Sequence, residues 1–227
     1  MSLITLKNVK KEYGKNQVLF ENLSLEIEKG EFVGLVGKSG AGKTTLLNII
    51  GLITDISEGT ITIDSHKNLS MNGKNAMILR RYTIGYLFQN YGLIEDESVL
   101  WNLKLALEYK KVKKEEKLKL INKYLKQFEL SDMLNKKVYQ LSGGEQQRIA
   151  IIKLILQGSQ IILADEPTSG LDKENELIVM KLLKELNEKG ITIIMVTHNM
   201  NLCDCFSRVI NCLLYTSPSP RDTERSR

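Results

Sequence analysis

Long apolar runs and cysteines are both scarce in this sequence of 227 residues. No run approaches the ~18 apolar residues of a membrane-spanning helix, and no apolar core of a signal peptide follows Met1. We therefore expect a chain that stays in the cytosol and forms no pore of its own. The 3 cysteines all lie close to the C-terminus, at Cys203, Cys205 and Cys212. Their placement excludes a disulfide framework and favours a reducing compartment.

Aromatic side chains make up only 6% of the sequence, and basic side chains are not spread evenly along it. The net charge is +5, and the positive charge is concentrated in residues 110–126, KKVKKEEKLKLINKYLK. A nucleic-acid-binding protein more often distributes its charge along a groove, with aromatic residues for stacking. We therefore expect no nucleic-acid partner. The basic segment is interpreted as a solvated helix face, with a position near anionic lipid head groups as the alternative.

The hydrophobic pattern predicts an α/β core with two further subdomains, one of β-strands and one of helices. Residues 1–30 alternate between apolar and polar, which predicts an N-terminal antiparallel β-subdomain with a turn near Gly14. Residues 31–50, and again the chain from Ile161, alternate buried strands with helices, which is typical of a mainly parallel sheet flanked by helices. Residues 93–156 have helical periodicity instead, which predicts a helical subdomain inserted into the α/β core.

A glycine-rich sequence, GKSGAGKT, lies between a predicted strand and a predicted helix. It fits the pattern G-x-x-x-x-G-K-[ST], in which backbone N–H groups converge on phosphate oxygens and the helix N-terminus adds positive potential. Lys43 is predicted to bridge the β- and γ-phosphates of a nucleotide, and the Thr44 hydroxyl to ligate Mg²⁺. The predicted nucleotide-binding residues of this phosphate loop are Gly37, Lys38, Ser39, Gly40, Ala41, Gly42, Lys43, Thr44 and Thr45.

A second motif, IILADE, is an apolar strand that ends in Asp165 and Glu166. Open α/β sheets bind ligands at the carboxyl ends of their strands, so Asp165 is predicted to hold Mg²⁺ there, directly or through water. Glu166 is then placed to orient or deprotonate an attacking water molecule. Together with the phosphate loop, this motif predicts a P-loop NTPase core.

The sequence LSGGEQQR, residues 141–148, resembles the signature sequence of ATP-binding-cassette (ABC) ATPases, and on it the chain is identified as a member of that family. Ser-Gly-Gly before a helix makes a second anion-binding helix start, with Ser142 as a side-chain donor. Two such starts in one chain suggest a head-to-tail homodimer. In it, Ser142, Gly143 and Gly144 of one protomer would close the nucleotide site of the other.

The resemblance extends from about Leu3 to Val209 and implies four further roles. Tyr13 is similar to the aromatic residue that stacks on adenine. Gln89 resembles the glutamine that senses Mg²⁺ and the membrane partner. Asp172 ends a loop, SGLD, that resembles the loop crossing the dimer interface. His198 resembles the switch histidine that contacts the γ-phosphate.

The segment from Arg80 to Val99 is similar to ATPases that serve lipoprotein-release, macrolide and bacteriocin-type exporters. In those systems a separate transmembrane permease docks in the groove after the glutamine loop. The resemblance therefore implies ATP and Mg²⁺ as ligands, a homodimer, a permease partner and a position at the cytoplasmic face of the membrane. The transported substrate belongs to the permease, and this sequence does not name it.

Three alternative functions are less consistent with the sequence. A soluble ABC ATPase of translation control or DNA repair usually carries two cassettes or long coiled-coil insertions, and neither is found here. A regulatory module without turnover is disfavoured by the presence of both Glu166 and His198. A GTPase is disfavoured because no Asn-Lys-x-Asp motif for guanine is found.

The predicted domain boundaries are residues 1–211 for the ATPase domain and about 93–156 for the helical subdomain. The last residues, 212–227, read CLLYTSPSPRDTERSR. They resemble a translated adapter rather than the hairpin expected after the switch histidine, so we predict a non-native or disordered tail.

Overall fold

Two β-sheets form the framework of the protein, as seen in a computed structural model that describes residues 2–14 and 17–212. The strands are β1 Ser2–Tyr13, β2 Gln17–Glu28, β3 Phe32–Val36, β4 Glu58–Ile63, β5 Ile84–Leu87, β6 Ile161–Asp165, β7 Thr192–Val196 and β8 Arg208–Asn211. The α-helices are α1 Lys43–Ile50, α2 Lys74–Tyr82, α3 Val99–Ala106, α4 Lys114–Gln127, α5 Gly143–Gln157 and α6 Lys173–Glu188.

The larger sheet has 5 parallel strands in the order β5-β6-β7-β3-β8. Its central strands carry apolar residues on both faces, because helices cover both sides of a parallel sheet. Along β3, Val33 and Leu35 belong to one hydrophobic cluster, whereas Phe32 belongs to the cluster on the opposite face. The predicted α/β core with a parallel sheet is confirmed.

The smaller sheet has 3 antiparallel strands in the order β2-β1-β4. It confirms the N-terminal antiparallel unit predicted from the alternating pattern. Its inward-facing residues Ile4 and Phe20 share a hydrophobic cluster with Leu46 and Leu47 of α1. The helix that follows the phosphate loop therefore packs against residues of both sheets.

Helices α3, α4 and α5 lie in the region with helical periodicity. Ser98 begins α3 by accepting a hydrogen bond from the backbone N–H of Trp101, 3.1 Å away. In α4, Ile121 and Leu125 are buried while most lysines face outward, which fits an amphipathic helix. The exact limits of the inserted subdomain remain a prediction.

The predicted tail begins at Cys212, whose side chain is buried in the core cluster beneath the phosphate loop. Burial raises the pKa of the Cys212 thiol to about 11, against the opposing charge of Lys43. Residues 213–227 of the predicted tail lie outside the described residues. Within residues 2–14 and 17–212, none of the helices has the length and apolar character needed to cross a bilayer.

Candidate functional site

The strand order sets the positions of the candidate residues. All five strands of the larger sheet are parallel, so their carboxyl ends lie at one edge. The phosphate loop follows β3, His198 follows β7, Asp165 and Glu166 end β6, and Gln89 follows β5. Because β7 lies between β3 and β6, the histidine emerges between the phosphate loop and the two acidic residues.

The phosphate loop adopts backbone conformations that favour glycine. Gly40 and Gly42 have φ values of 81° and 76°, in the left-handed region. A side chain at Gly42 would also meet the ring of Phe20, because a Cβ there would lie 2.8 Å from its Cζ atom. Gly42 precedes α1 without a side-chain cap, so the first N–H groups of the helix are left for another acceptor.

Lys43 lies inside the curve of this loop and is only 7% exposed. Its ammonium donates to the carbonyl oxygen of Gly37 at 2.8 Å and to that of Lys38 at 2.9 Å. The positive charge is thus held at the centre of the loop by two backbone acceptors. An anion on the loop would face this charge and the helix N-terminus together.

Thr44 and Asp165 meet across the sheet edge, where the threonine hydroxyl donates to the Oδ1 atom of the carboxylate at 3.2 Å. Burial raises the pKa of Asp165, and the hydrogen bond from Thr44 opposes that shift. The charge of Glu166 also raises the pKa, whereas Lys43 lowers it. A half-buried carboxylate beside a hydroxyl offers the oxygen ligands that Mg²⁺ prefers, so these residues fit the ion.

Glu166 and His198 form the second pair at this edge, with 3.2 Å between Glu166 Oε2 and His198 Nδ1. A carboxylate has no hydrogen to donate, so Nδ1 carries the hydrogen of this contact. Glu166 has φ of 47°, a left-handed conformation that is unusual for a residue other than glycine. The two side chains line a cavity of about 490 Å³. Backbone strain at an acidic residue that opens into a cavity is typical of functional sites.

The signature segment, residues 141–148, leads into α5 and forms its first turns. Ser142 is the N-cap, and its hydroxyl oxygen accepts from the backbone N–H of Glu145 at 3.3 Å. A Cβ at Gly143 would lie 2.8 Å from the hydroxyl oxygen of Tyr91, and one at Gly144 would collide with the amide of Asn175. At both positions glycine therefore lets a neighbouring side chain pack directly against this helix start.

Asp172 caps α6 and connects it to the signature segment through Asn175. Its carboxylate accepts from the backbone N–H of Asn175 at 2.8 Å and from the side-chain amide at 3.0 and 2.9 Å. These hydrogen bonds lower the pKa of Asp172. Because the same amide packs on Gly144, the predicted interface loop and the signature segment share one contact.

The structure places Tyr13 beside α1, with its hydroxyl oxygen 3.4 Å from the Thr45 hydroxyl oxygen. The ring is 45% exposed, and the ammonium of Lys11 lies 4.8 Å from its centroid. Gln89 is brought to the same sheet edge, but its side chain is exposed and hydrogen-bonds to none of the described residues.

Sequence reasoning assigned no role to Tyr91, Asn175 or Lys153. Asn175 could have been found from its spacing, because it follows the capping residue Asp172 by three positions. Tyr91 has φ of 64° and reaches Gly143 from a loop, a contact that no spacing in the sequence indicates.

A groove of about 440 Å³ opens beside the loop that follows Gln89. Its lining includes Ile53, Phe88, Tyr91 and Lys153, and Phe88 stacks on Tyr86 with 4.1 Å between ring centroids. Phe88 is 39% exposed and Ile53 40% exposed. The groove therefore presents apolar side chains that the described part of the chain leaves partly uncovered.

Comparison with known proteins gives a family match. The model of the family described as "ABC transporter" matches residues 20–169. The chain is 42% identical over 208 residues to "Macrolide export ATP-binding/permease protein MacB" of Campylobacter jejuni, covering 92% of this chain and 32% of that protein. It thus spans about a third of the length of this relative.

Two other similar proteins match over nearly their full length. "Uncharacterized ABC transporter ATP-binding protein MJ1508" of Methanocaldococcus jannaschii is 42% identical over 211 residues, which cover 92% of this chain and 94% of that protein. The solved "Dimeric structure of a post-hydrolysis state of the ATP-binding cassette MJ0796 bound to ADP and Pi" has a TM-score of 0.83 and 39% identity. That alignment covers 92% of this chain and 93% of the solved chain.

Proposed function

Because this chain belongs to the ABC transporter ATP-binding family, we propose that it hydrolyses ATP to power export through a separate transmembrane permease. The observation that carries the hydrolytic part is the Glu166–His198 pair, 3.2 Å apart, beside the Thr44–Asp165 pair. Asp165 lies beside the Thr44 hydroxyl, where the two oxygens could ligate a metal ion, whereas Glu166 lines a cavity. This division suits one carboxylate for Mg²⁺ and one for water.

ATP is proposed to bind with its phosphates on the backbone N–H groups of residues 37–45. Lys43 would turn from the carbonyl groups of Gly37 and Lys38 toward the β- and γ-phosphates, where charge-assisted contacts are strong. Tyr13, which lies next to Thr45, would stack on the adenine. Bound Mg²⁺ would neutralise charge on the phosphate oxygens, held by Thr44, Asp165 and the amide oxygen of Gln89.

Hydrolysis is proposed to use Glu166 as the general base. A water oxygen attacks the γ-phosphorus, and the bond from that phosphorus to the β,γ-bridging oxygen breaks. Glu166 takes the proton that the water loses, and the products are ADP and inorganic phosphate. His198, held by Glu166 through Nδ1, would orient the γ-phosphate with Nε2. The ADP and Pi named for the MJ0796 structure support the same reaction in a similar cassette.

The active form is proposed to be a homodimer. Ser142, Gly143 and Gly144 of one protomer would contact the γ-phosphate held by the other, and Asp172 would lie at the interface. The dimeric MJ0796 cassette supports this arrangement. Within one chain, the signature segment packs on Tyr91 and Asn175, so its N-terminus has its contacts on elements other than the phosphate loop.

The permease is proposed to dock in the groove lined by Phe88 and Tyr91, at the cytoplasmic face of the membrane. The word "permease" in the name of the Campylobacter relative supports a membrane partner. The archaeal relative of similar length, named as an ATP-binding protein alone, supports a permease on a separate polypeptide. Export is proposed on the macrolide-export relative, and the exported compound is left open.

Two measurements test the proposal. Wild-type chain and Lys43→Ala are compared for ATP binding by calorimetry and for phosphate release. We expect both to be lost in Lys43→Ala while the circular dichroism spectrum is retained. Lys119→Ala serves as the control and should retain both, because its side chain is exposed on α4, outside the phosphate loop. Wild-type ATP affinity in Lys43→Ala would contradict the site.

Purification from native membranes should also recover a permease, and recovery with ribosomes or DNA instead would favour the translation or repair alternative.

A further inference from the structure

The fifth residue of the signature segment, Glu145, holds the hydroxyl group of the N-cap residue Ser142. Ser142 Oγ donates to Glu145 Oε2 at 2.9 Å, and the backbone N–H of Ser142 donates to the same carboxylate oxygen at 2.7 Å. In return, the Ser142 hydroxyl oxygen accepts from the backbone N–H of Glu145 at 3.3 Å. This is a reciprocal capping box that uses the serine hydroxyl as donor and acceptor at once.

A serine hydroxyl has one hydrogen to donate. In this structure that hydrogen is directed at the Glu145 carboxylate, whereas the proposed dimer requires it to be directed at a γ-phosphate. The carboxylate is ionised under ordinary conditions: burial opposes ionisation, but hydrogen bonds from Ser142 and the charges of Lys136 and Arg148 outweigh it and lower the pKa. A negative charge therefore lies 2.9 Å from the hydroxyl that should meet a second negative group.

The backbone around Ser142 has little room to adjust. Gly143 is covered by the Tyr91 hydroxyl and Gly144 by the Asn175 amide, so the helix start cannot shift toward either neighbour. Release of the serine must therefore come from rotation of the Ser142 and Glu145 side chains. Ser142 is exposed and Glu145 half-buried, which leaves solvent space for that rotation.

We propose that Glu145 is a positioning residue that holds Ser142 in a self-paired state and competes with the partner's γ-phosphate for the serine hydroxyl. The carboxylate thereby weakens the ATP-dependent dimer and shortens its lifetime. The inference rests on the proposed function, because it presupposes that Ser142 of one protomer closes the nucleotide site of the other.

The test compares dimer affinity in the Glu166→Gln background, in which ATP is bound but hydrolysed slowly. Glu145→Gln keeps the capping box, since glutamine also accepts from the Ser142 N–H, but removes the charge. We expect its dimer dissociation constant in saturating ATP and Mg²⁺ to fall by about fivefold per site, or about 25-fold for two sites. Sedimentation velocity measures this constant. The monomer should melt at a slightly lower temperature, because the lowered pKa of Glu145 means that its ionised form stabilises the fold. Glu115→Gln, which removes the same charge from the first turn of α4, should leave the constant unchanged.

A second variant separates competition from a structural role. Glu145→Ala keeps the bond from the backbone N–H of residue 145 to the serine hydroxyl but loses the two bonds that the carboxylate accepts. It should melt at a lower temperature, yet its ATP-dependent dimer should still be tighter than that of the parent. A purely structural role predicts the opposite change in dimer affinity. Equal or weaker dimers in both Glu145 variants would overturn this inference and leave the proposed function standing. The absence of an ATP-dependent dimer in parent and variants alike would overturn both.

Discussion

Lys153 of α5 donates its ammonium group to the backbone carbonyl oxygen of Gly92, 2.8 Å away. Gly92 closes the loop that contains Gln89, and α5 is the helix that Ser142 caps. This bond therefore ties the loop at the end of β5 to the helix of the signature segment. A partner that presses on Phe88 or Tyr91 in the groove would move a loop that is fixed to that helix.

Lys153→Met should lower the free energy of unfolding by about 1 kcal/mol, because the Gly92 carbonyl loses its charged donor. This cost is small for the loss of a charged hydrogen-bond donor. Burial lowers the pKa of the Lys153 amine, which means that the buried charge itself is unfavourable, and methionine removes that charge. Urea denaturation measures the change. Lys119→Met, on the exposed face of α4, should stay within about 0.5 kcal/mol of wild type. Equal effects of the two substitutions would show that the bond to Gly92 does not stabilise the fold.

Asp165→Asn should raise the melting temperature of the protein without metal and nucleotide by about 1–3 °C at neutral pH. A raised pKa means that the folded state binds the proton more tightly than the unfolded state, so the ionised carboxylate destabilises the fold. That loss develops as the pH rises from the ordinary value of 3.8 through the raised pKa, and asparagine avoids it. The advantage of asparagine should vanish below pH 3.8.

The same substitution should remove the stabilisation that Mg²⁺ adds to the ATP-bound protein. Asparagine keeps an acceptor for Thr44 but loses the charge that a cation needs. Thermal melts with ATP, with and without Mg²⁺, separate the two effects. A full Mg²⁺-dependent increment in Asp165→Asn would contradict the assignment of this residue to the metal.

Glu166→Gln should slow ATP hydrolysis by ~10²–10⁴-fold while ATP binding persists, because only the group that handles the water's proton is lost. The bound ATP should then hold two chains together. Adding Ser142→Arg should break that dimer, since its bulk and charge would fill the γ-phosphate contact. Phosphate release and light scattering with and without ATP measure the two outcomes. Rapid hydrolysis by Glu166→Gln would exclude this residue as the base.

Gly144→Ala should lower stability by about 1–3 kcal/mol, because its Cβ would collide with the Asn175 amide. The effect should be partly relieved by Asn175→Ala in the double variant, since the smaller side chain makes room. Chemical denaturation of the two single variants and the double variant forms a cycle that measures the coupling. Additive losses would show that the two positions do not share a contact that matters for stability.

The strand-end residues could be predicted because parallel strands carry their carboxyl ends to one edge. That rule placed Asp165 at the ligand-binding edge, where the structure pairs it with Thr44. His198, which lies beside Glu166, was expected only from the resemblance to the family. Helix α2 was not predicted, since only Ala76 and Leu79 of its residues are buried and the periodicity is weak.

Contacts between elements that are not paired in a sheet could not be predicted from the sequence. The meeting of Gly144 with Asn175 and of Gly143 with Tyr91 depends on how helices and loops pack, and spacing within one element does not report it. The hydrogen bond between Lys153 and Gly92 was missed for the same reason. A lysine in the middle of an amphipathic helix is more often exposed, so nothing local distinguished it.

The strand order of the larger sheet determines when, during synthesis on the ribosome, the nucleotide site can form. Strand β3, which leads into the phosphate loop, is made early, but its neighbours in the sheet are β7 and β8. Until residues 192–196 have been synthesised, β3 lacks a neighbouring strand and Asp165 lacks its fixed position opposite Thr44. A nascent chain that already contains every phosphate-loop residue would thus not yet hold them as a nucleotide site. Residues 192–196 must therefore be synthesised and folded into the sheet before such a chain could consume ATP.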